Sequence, residues 1–172
     1  MHPSYQLLYP KRMKLVTRED ISNIVIAEGI PLDLSKKPQI KEIMDMQWKL
    51  RMCQAQLNGV VLSNDPQFRL SGYSTNDKGL LLQLALSCYR EHIGTNNLAI
   101  NGWPELFNFI KSEGKKEGKE NSYRYFGNIL GISMVVVTKD NYVIVTDRNN
   151  KVGEYPGFFD KPGGHPNPEK HF

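Results

Sequence analysis

Cysteine is scarce in this chain. Only Cys53 and Cys88 occur, far apart, each inside an apolar-periodic segment. The clustered spacing of a cysteine metal site is absent, so the reading is two buried, reduced thiols rather than a disulfide or a ligand set. His2, His92 and His171 form no metal constellation either. Long hydrophobic runs are missing: no stretch approaches the length that spans a bilayer, and Met1-His2-Pro3-Ser4 has no positive region leading into an apolar one. The expectation is an intracellular chain, cytoplasmic or nuclear, without a membrane partner. Charge of one sign is also sparse, with a formal net charge of +4. The lysines gather at Lys111, Lys115, Lys116 and Lys119 of a glycine-interrupted segment, and no reading module accompanies them, so no nucleic-acid partner is expected. Internal repeats and long low-complexity tracts are lacking too. What remains is 172 residues, 40% hydrophobic, enough for one domain or one domain with a small appendage.

Strand and helix signals alternate along the chain. Tyr5 to Tyr9, followed by Pro10, reads as a brief edge strand. Thr17 and Asp20 have the spacing of a helical cap, but Ile24-Val25-Ile26 is β-branched and favours a strand, so that segment stays open between the two. From Pro38 to Leu57 the apolar positions Ile43, Met46, Leu50, Cys53 and Leu57 recur at spacings of three and four, and Asn58-Gly59 follows as a stop. This predicts an amphipathic helix whose stripe faces the core, with a partner-binding surface as the alternative. Phe68 to Tyr73 and Leu80 to Leu86 flank the turn formers Ser74 to Gly79, which predicts a hairpin. Ser87 to Gly94 suits a short helix, and Pro104 opens another through Phe107 and Ile110. Ser112 to Glu120 is too polar to pack and reads as a mobile surface loop. A second hairpin is predicted from Ile132 to Thr138 and Tyr142 to Asp147, turning at Lys139-Asp140-Asn141. The class is α+β.

The tail carries the chemistry: Tyr155-Pro156-Gly157-Phe158-Phe159-Asp160-Lys161-Pro162-Gly163-Gly164-His165-Pro166. Two glycines after a proline let backbone N–H groups approach an anion without Cβ obstruction, with Asp160 as an acceptor and His165 as a titratable donor beside them. Taken singly, these residues have plain readings. Tyr89 is a half-buried tyrosine in a helical turn, Arg148 an exposed turn residue, Asp160 a turn cap and His165 a surface histidine.

Their order is more specific. Pro66-Gln67-Phe68-Arg69-Leu70, the Tyr89-Arg90 … Gly94-Thr95-Asn96 pattern and Asp160-Lys161-Pro162-Gly163-Gly164-His165-Pro166 together resemble the UDP-sugar-hydrolysing type of the Nudix hydrolase family, over roughly residues 40–168. The resemblance implies a Nudix-type α/β/α sandwich with an N-terminal α/β extension, C-terminally incomplete. Residues 1–125 would form the N-terminal α/β region and 126–172 the start of the Nudix domain. It also implies hydrolysis of UDP-glucose or UDP-galactose to UMP and the sugar 1-phosphate with Mg2+. Carried over by position, the substrate contacts fall on Tyr89, Arg148, Gly153, Asp160, His165 and Asn167. Tyr89 would stack on or hydrogen-bond to uridine, and Arg148 would fork to diphosphate oxygens. Gly153 would admit the backbone, Asp160 would accept from base or ribose, and His165 would donate to phosphate. Asn167 stands where the family carries glutamate, and Ser63 where it carries an aromatic residue.

The Nudix signature continues from the second glycine through a glutamate, an Arg-Glu pair and a Glu-Glu pair. With Gly164 as that glycine, Lys170 fills the first glutamate position and the Arg-Glu pair falls beyond Phe172. No catalytic residue and no metal ligand is therefore assigned, and the expectation is an inactive polypeptide that does not itself bind Mg2+. A non-catalytic uridine-nucleotide-binding or protein-interaction module is the alternative function.

Overall fold

The structure is a computed structural model that describes residues 24–76, 79–148 and 157–171. The strand expected at Tyr5–Tyr9, the Thr17–Asp20 cap and Gly153 lie outside the described residues.

The first sheet has three strands in the order β1-β3-β2: β1 (Ile24–Glu28), β2 (Pro66–Asn76) and β3 (Gly79–Cys88). The β-branched Ile24-Val25-Ile26 run resolves as strand, running parallel to β3 from Ile24 opposite Leu80 to Glu28 opposite Leu84. β2 and β3 form the expected hairpin, longer at both ends than the apolar runs alone suggest, with a bulge between Leu70 and Gly72. Beyond β2 the ladder is extended by Asn128 to Leu130, since Leu70 N–H donates to Asn128 O and Leu130 N–H to Phe68 O.

Helix α1 (Pro38–Leu57) has the predicted bounds, opened by Pro38 and closed at Asn58. Its buried face is not the predicted one. Ile40, Met44, Gln47 and Ala55 are buried, whereas Met46 is 49% and Leu57 86% exposed, and Cys53 is exposed as well. The apolar stripe therefore looks outward, and one of the two expected buried thiols is on the surface; Cys88 is half-buried, and both are free. The physical reason is the neighbour. α2 (Tyr89–Thr95) lies on α1 through Gly94, and the face turned toward it is the one that carries Met44 and Gln47.

Helix α3 (Pro104–Lys115) begins at the predicted proline. It runs through Ser112-Glu113-Gly114-Lys115, so the segment expected to be a mobile loop is ordered. Its charges are matched. Glu113 pairs with Lys37 at 3.1 Å and with Lys116, while Glu117 pairs with Arg124 at 3.2 Å and accepts from the Tyr125 hydroxyl. A single-turn 3₁₀ segment, Lys119–Tyr123, then returns the chain to the core. That core joins Leu34, Ile40, Met44, Leu98, Ile110, Tyr125 and Phe126. The Phe126 ring lies 4.9 Å from Phe107 and 5.3 Å from Tyr123.

The remaining strands are two residues each: β4 (Ile132–Ser133), β5 (Val136–Val137), β6 (Val143–Ile144), β7 (Thr146–Asp147), β8 (Phe159–Asp160) and β9 (Gly163–Gly164), before α4 (Pro168–His171). The predicted second hairpin survives only as β5 with β6, turned at Asn141 with φ 66°. Its flanks are taken by later strands, β4 pairing with β9 and β7 with β8. Among the described residues no helix is long and apolar enough to cross a membrane.

Candidate functional site

The tail is held by the strands that precede it. The two glycines of β9 are not equivalent. A Cβ on Gly163 would stand 2.4 Å from Ile132 O and 2.8 Å from Ser133 Cα, so only glycine lets β4 and β9 close. A Cβ on Gly164 would meet nothing within 4 Å, so the space on that side of the strand is open.

Upstream in the tail, the pairing of β7 with β8 sets Arg148 against Asp160. Arg148 Nη1 donates to Asp160 Oδ2 at 2.7 Å, and the Lys161 N–H donates to Asp160 Oδ1 at 2.9 Å. The Arg148 hydrogen bond holds the Asp160 carboxyl below the ordinary carboxylate range, with the Lys161 N–H and charge adding to it. The Arg148 guanidinium is thus oriented by one nitrogen, while its Nε is buried without a partner among the described residues.

Downstream, His165 Nδ1 lies 3.0 Å from Leu130 O. A carbonyl only accepts, so Nδ1 carries the hydrogen and Nε2 is the atom left for another group. The His165 ring centroid is 6.4 Å from that of His92, which in turn stacks 6.2 Å from Tyr89 with 27° between planes. Tyr89 and His165 are therefore brought together through His92, a residue that the sequence reading set aside. Helical spacing within α2 puts Tyr89 and His92 on one face, which is the signal that would have found it. Asn167 is buried, and its Oδ1 accepts the Glu169 N–H at 2.8 Å, capping α4. Ser63 donates to Asp65 Oδ2 at 2.7 Å in the loop that receives α2, where Asp65 O accepts from Tyr89 N–H and Asn64 Oδ1 from Arg90 N–H.

The Gly94-Thr95-Asn96 part of the motif is architectural. Thr95 Oγ1 accepts the Gly127 N–H at 2.9 Å, Asn96 Oδ1 accepts the Asn128 N–H at 2.8 Å, and Arg90 pairs with Asp45 of α1. These contacts hold Asn128 to Leu130 in place, and Leu130 in turn supplies the carbonyl that His165 uses. No three His, Cys, Asp or Glu side chains gather into a metal cluster among the described residues.

In class, these observations define a mixed α+β protein whose tail carries an arginine–carboxylate pair, a glycine open on its Cβ side and a histidine that joins two rings of α2; among the described residues no contact links the ion pair to the rings. Its likeness among known proteins is to Nudix hydrolases of the UDP-sugar type, as the motif reading expected. It is 32% identical over 108 residues to the uridine diphosphate glucose pyrophosphatase NUDT22 of Mus musculus, covering 60% of this chain and 33% of that one. The NUDT22 of Homo sapiens is 31% identical over 113 residues, covering 63% and 35%. The Nudix hydrolase 9 of Arabidopsis thaliana is 32% identical over 115 residues, covering 62% and 34%. The chain spans about a third of the length of the curated relatives it matches. No family model matches the sequence.

Proposed function

We propose that these residues form the nucleotide-sugar-holding part of a Nudix-type UDP-sugar diphosphatase, an α/β/α sandwich beginning in residues 126–172 and preceded by an α/β region in 1–125. The reaction served is hydrolysis of UDP-glucose or UDP-galactose to UMP and the sugar 1-phosphate. The observation that carries the reading is the oriented guanidinium of Arg148 beside Asp160, in a chain similar to proteins named uridine diphosphate glucose pyrophosphatase. In this reading Arg148 forks to diphosphate oxygens, and Tyr89 offers a ring face to the uracil. His165 meets a phosphate oxygen through Nε2, the nitrogen that Leu130 leaves open. Gly164 admits the ligand to its backbone, Gly153 contributes likewise, and Asn167 fixes the turn that follows His165.

Nudix hydrolases use a divalent cation such as Mg2+, which neutralises the diphosphate and activates the attacking water when bound. The described residues do not fit it, because Asp160 is engaged by Arg148 and Lys161 and no three His, Cys, Asp or Glu side chains gather among them. No ligand role is assigned to them. The 172-residue polypeptide accordingly holds a UDP-sugar without cleaving it. Calorimetry with UDP and UDP-glucose, run beside a Mg2+-dependent UMP-release assay, tests both parts. Binding without release is the expected pair of results. Absence of binding removes the nucleotide reading, and turnover well above background removes the claim of silence.

A protein-interaction module is the second reading, favoured by the outward stripe of Met46, Leu50 and Leu57 on α1. Monomeric behaviour at every concentration in analytical ultracentrifugation counts against it.

A further inference from the structure

We infer that His92 is a positioning residue for His165, fixing the ring plane with which His165 meets the phosphate in the site proposed above, on which reading the inference rests. His165 is exposed, and its side-chain hydrogen bond among the described residues, Nδ1 to Leu130 O at 3.0 Å, leaves the ring free to swing about that axis. Gly131, where even an added Cβ would lie 3.5 Å from His165 Cε1, leaves room for that swing. What limits it is His92, with ring centroids 6.4 Å apart and 51° between planes, inside the range in which aromatic rings attract. His92 itself is half-buried and held by its stack with Tyr89 at 6.2 Å, on a helix anchored at Gly94 and Thr95. The fixed ring of α2 thus transmits its orientation to the His165 ring at the end of β9. It also joins Tyr89, the proposed uracil platform, to His165, the proposed phosphate donor, so one rigid element sets the distance between the two ends of the nucleotide.

Holding an exposed side chain in its binding rotamer spares the ligand the loss of that freedom, an effect of about two- to tenfold in affinity. The test uses the full chain with His92→Ala and His92→Phe. The first readout is the His165 Cε1–H resonance in the ligand-free protein, assigned by its loss in His165→Gln; the second is the UDP dissociation constant; the third is the melting temperature. The Ala variant is expected to move the His165 resonance and weaken UDP by about two- to tenfold, and the Phe variant, which keeps a ring, to recover most of both. If the Ala variant does not fold, His92→Gln takes its place, since it keeps most of the volume without the ring and must move the His165 resonance and weaken UDP as alanine would. A His165 resonance that neither replacement moves overturns the positioning role even where UDP binds. A resonance that moves with Ala and returns with Phe supports positioning even where UDP fails to bind, and then it is the nucleotide reading that falls.

Discussion

Gly94 of α2 rests directly on the backbone of Met44 in α1: a Cβ at Gly94 would fall 2.5 Å from Met44 Cγ, 2.7 Å from its carbonyl oxygen and 2.8 Å from its Cα. Two of those atoms are backbone, so no rotamer change relieves the clash, and the helices must separate. Gly94→Ala is expected to destabilise by about 1–3 kcal/mol, the usual cost of overpacking. The corresponding fall in melting temperature is roughly 2–10 °C. Gly164→Ala is the control, because nothing lies within 4 Å of that Cβ, and its melting temperature should match the parent. Equal melting of all three proteins would show that α2 does not pack on α1 at this depth.

Arg69 makes a different kind of junction. Only 3% exposed, it donates Nε to Phe126 O at 3.1 Å, Nη1 to Ile30 O at 2.5 Å and Nη2 to Arg124 O at 2.6 Å. Burial lowers its pKa, yet the group stays charged and ties the sheet to the core loop. Arg69→Met keeps the stem and leaves three carbonyls without their donors, at a cost of about 3 kcal/mol or more. Arg69→Lys should recover little, since one ammonium does not span three acceptors set around a planar fork. Urea unfolding measures both, and a lysine variant as stable as the parent would contradict the three-way contact.

How far such junctions were legible depends on the range of the contact that sets them. Helix bounds at Pro38, Leu57 and Pro104 are local, written in proline, glycine and spacing, and they appear where the sequence puts them. The hairpin of β2 and β3 is local too. The buried face of α1 is not, because Met46 and Leu50 offer as good a stripe as Ile40 and Met44, and only the approach of Gly94, some fifty residues on, chooses between them. Glu113 and Glu117 looked like loop residues because their partners, Lys37, Arg124 and Tyr125, are distant or uninformative in sequence. At the proposed site, Arg148, Asp160 and His165 are singled out by their order along the chain alone. Helical spacing puts His92 on the face of Tyr89, but that its ring lies between those of Tyr89 and His165 is a property of packing. The mutual pairing of Arg148 with Asp160 was likewise invisible, since each had been read as facing a ligand.

The Glu113 and Glu117 cluster makes stability depend on acid. Hydrogen bonds from Lys116 and Lys37 lower the Glu113 pKa, and the bond from the Tyr125 hydroxyl lowers that of Glu117. A carboxyl whose pKa folding lowers adds stability above its unfolded titration, and that stability is lost as pH falls through the lower, folded value. The melting temperature should therefore be flat near neutrality and fall below about pH 4, where carboxylates protonate. In the double variant Glu113→Gln, Glu117→Gln the neutral melting temperature drops modestly and the acid-side fall shrinks. An acid limb as steep as the parent's would place the responsible carboxylates elsewhere.

Arg148 separates binding from folding. The Arg148–Asp160 pair is partly open to solvent, with side chains 30% and 38% exposed, so its removal costs stability little, on the order of 0–1 kcal/mol. The same guanidinium, steered by Asp160, is the anion donor assigned to the diphosphate in the proposed site. Arg148→Ala is expected to keep the parent's melting temperature within roughly 2 °C and to weaken UDP about tenfold or more, as loss of a charge-assisted pair of bonds requires. Arg148→Lys restores the charge without the fork and should recover only part of that affinity. Asp160 stays ionised into the acid range because Arg148 lowers its pKa, so this geometry is present throughout the neutral range and the comparison can be made at one pH. Calorimetry gives the affinities. Lysine equal to arginine would reduce the contact to simple charge, and alanine equal to both would take Arg148 out of the diphosphate site.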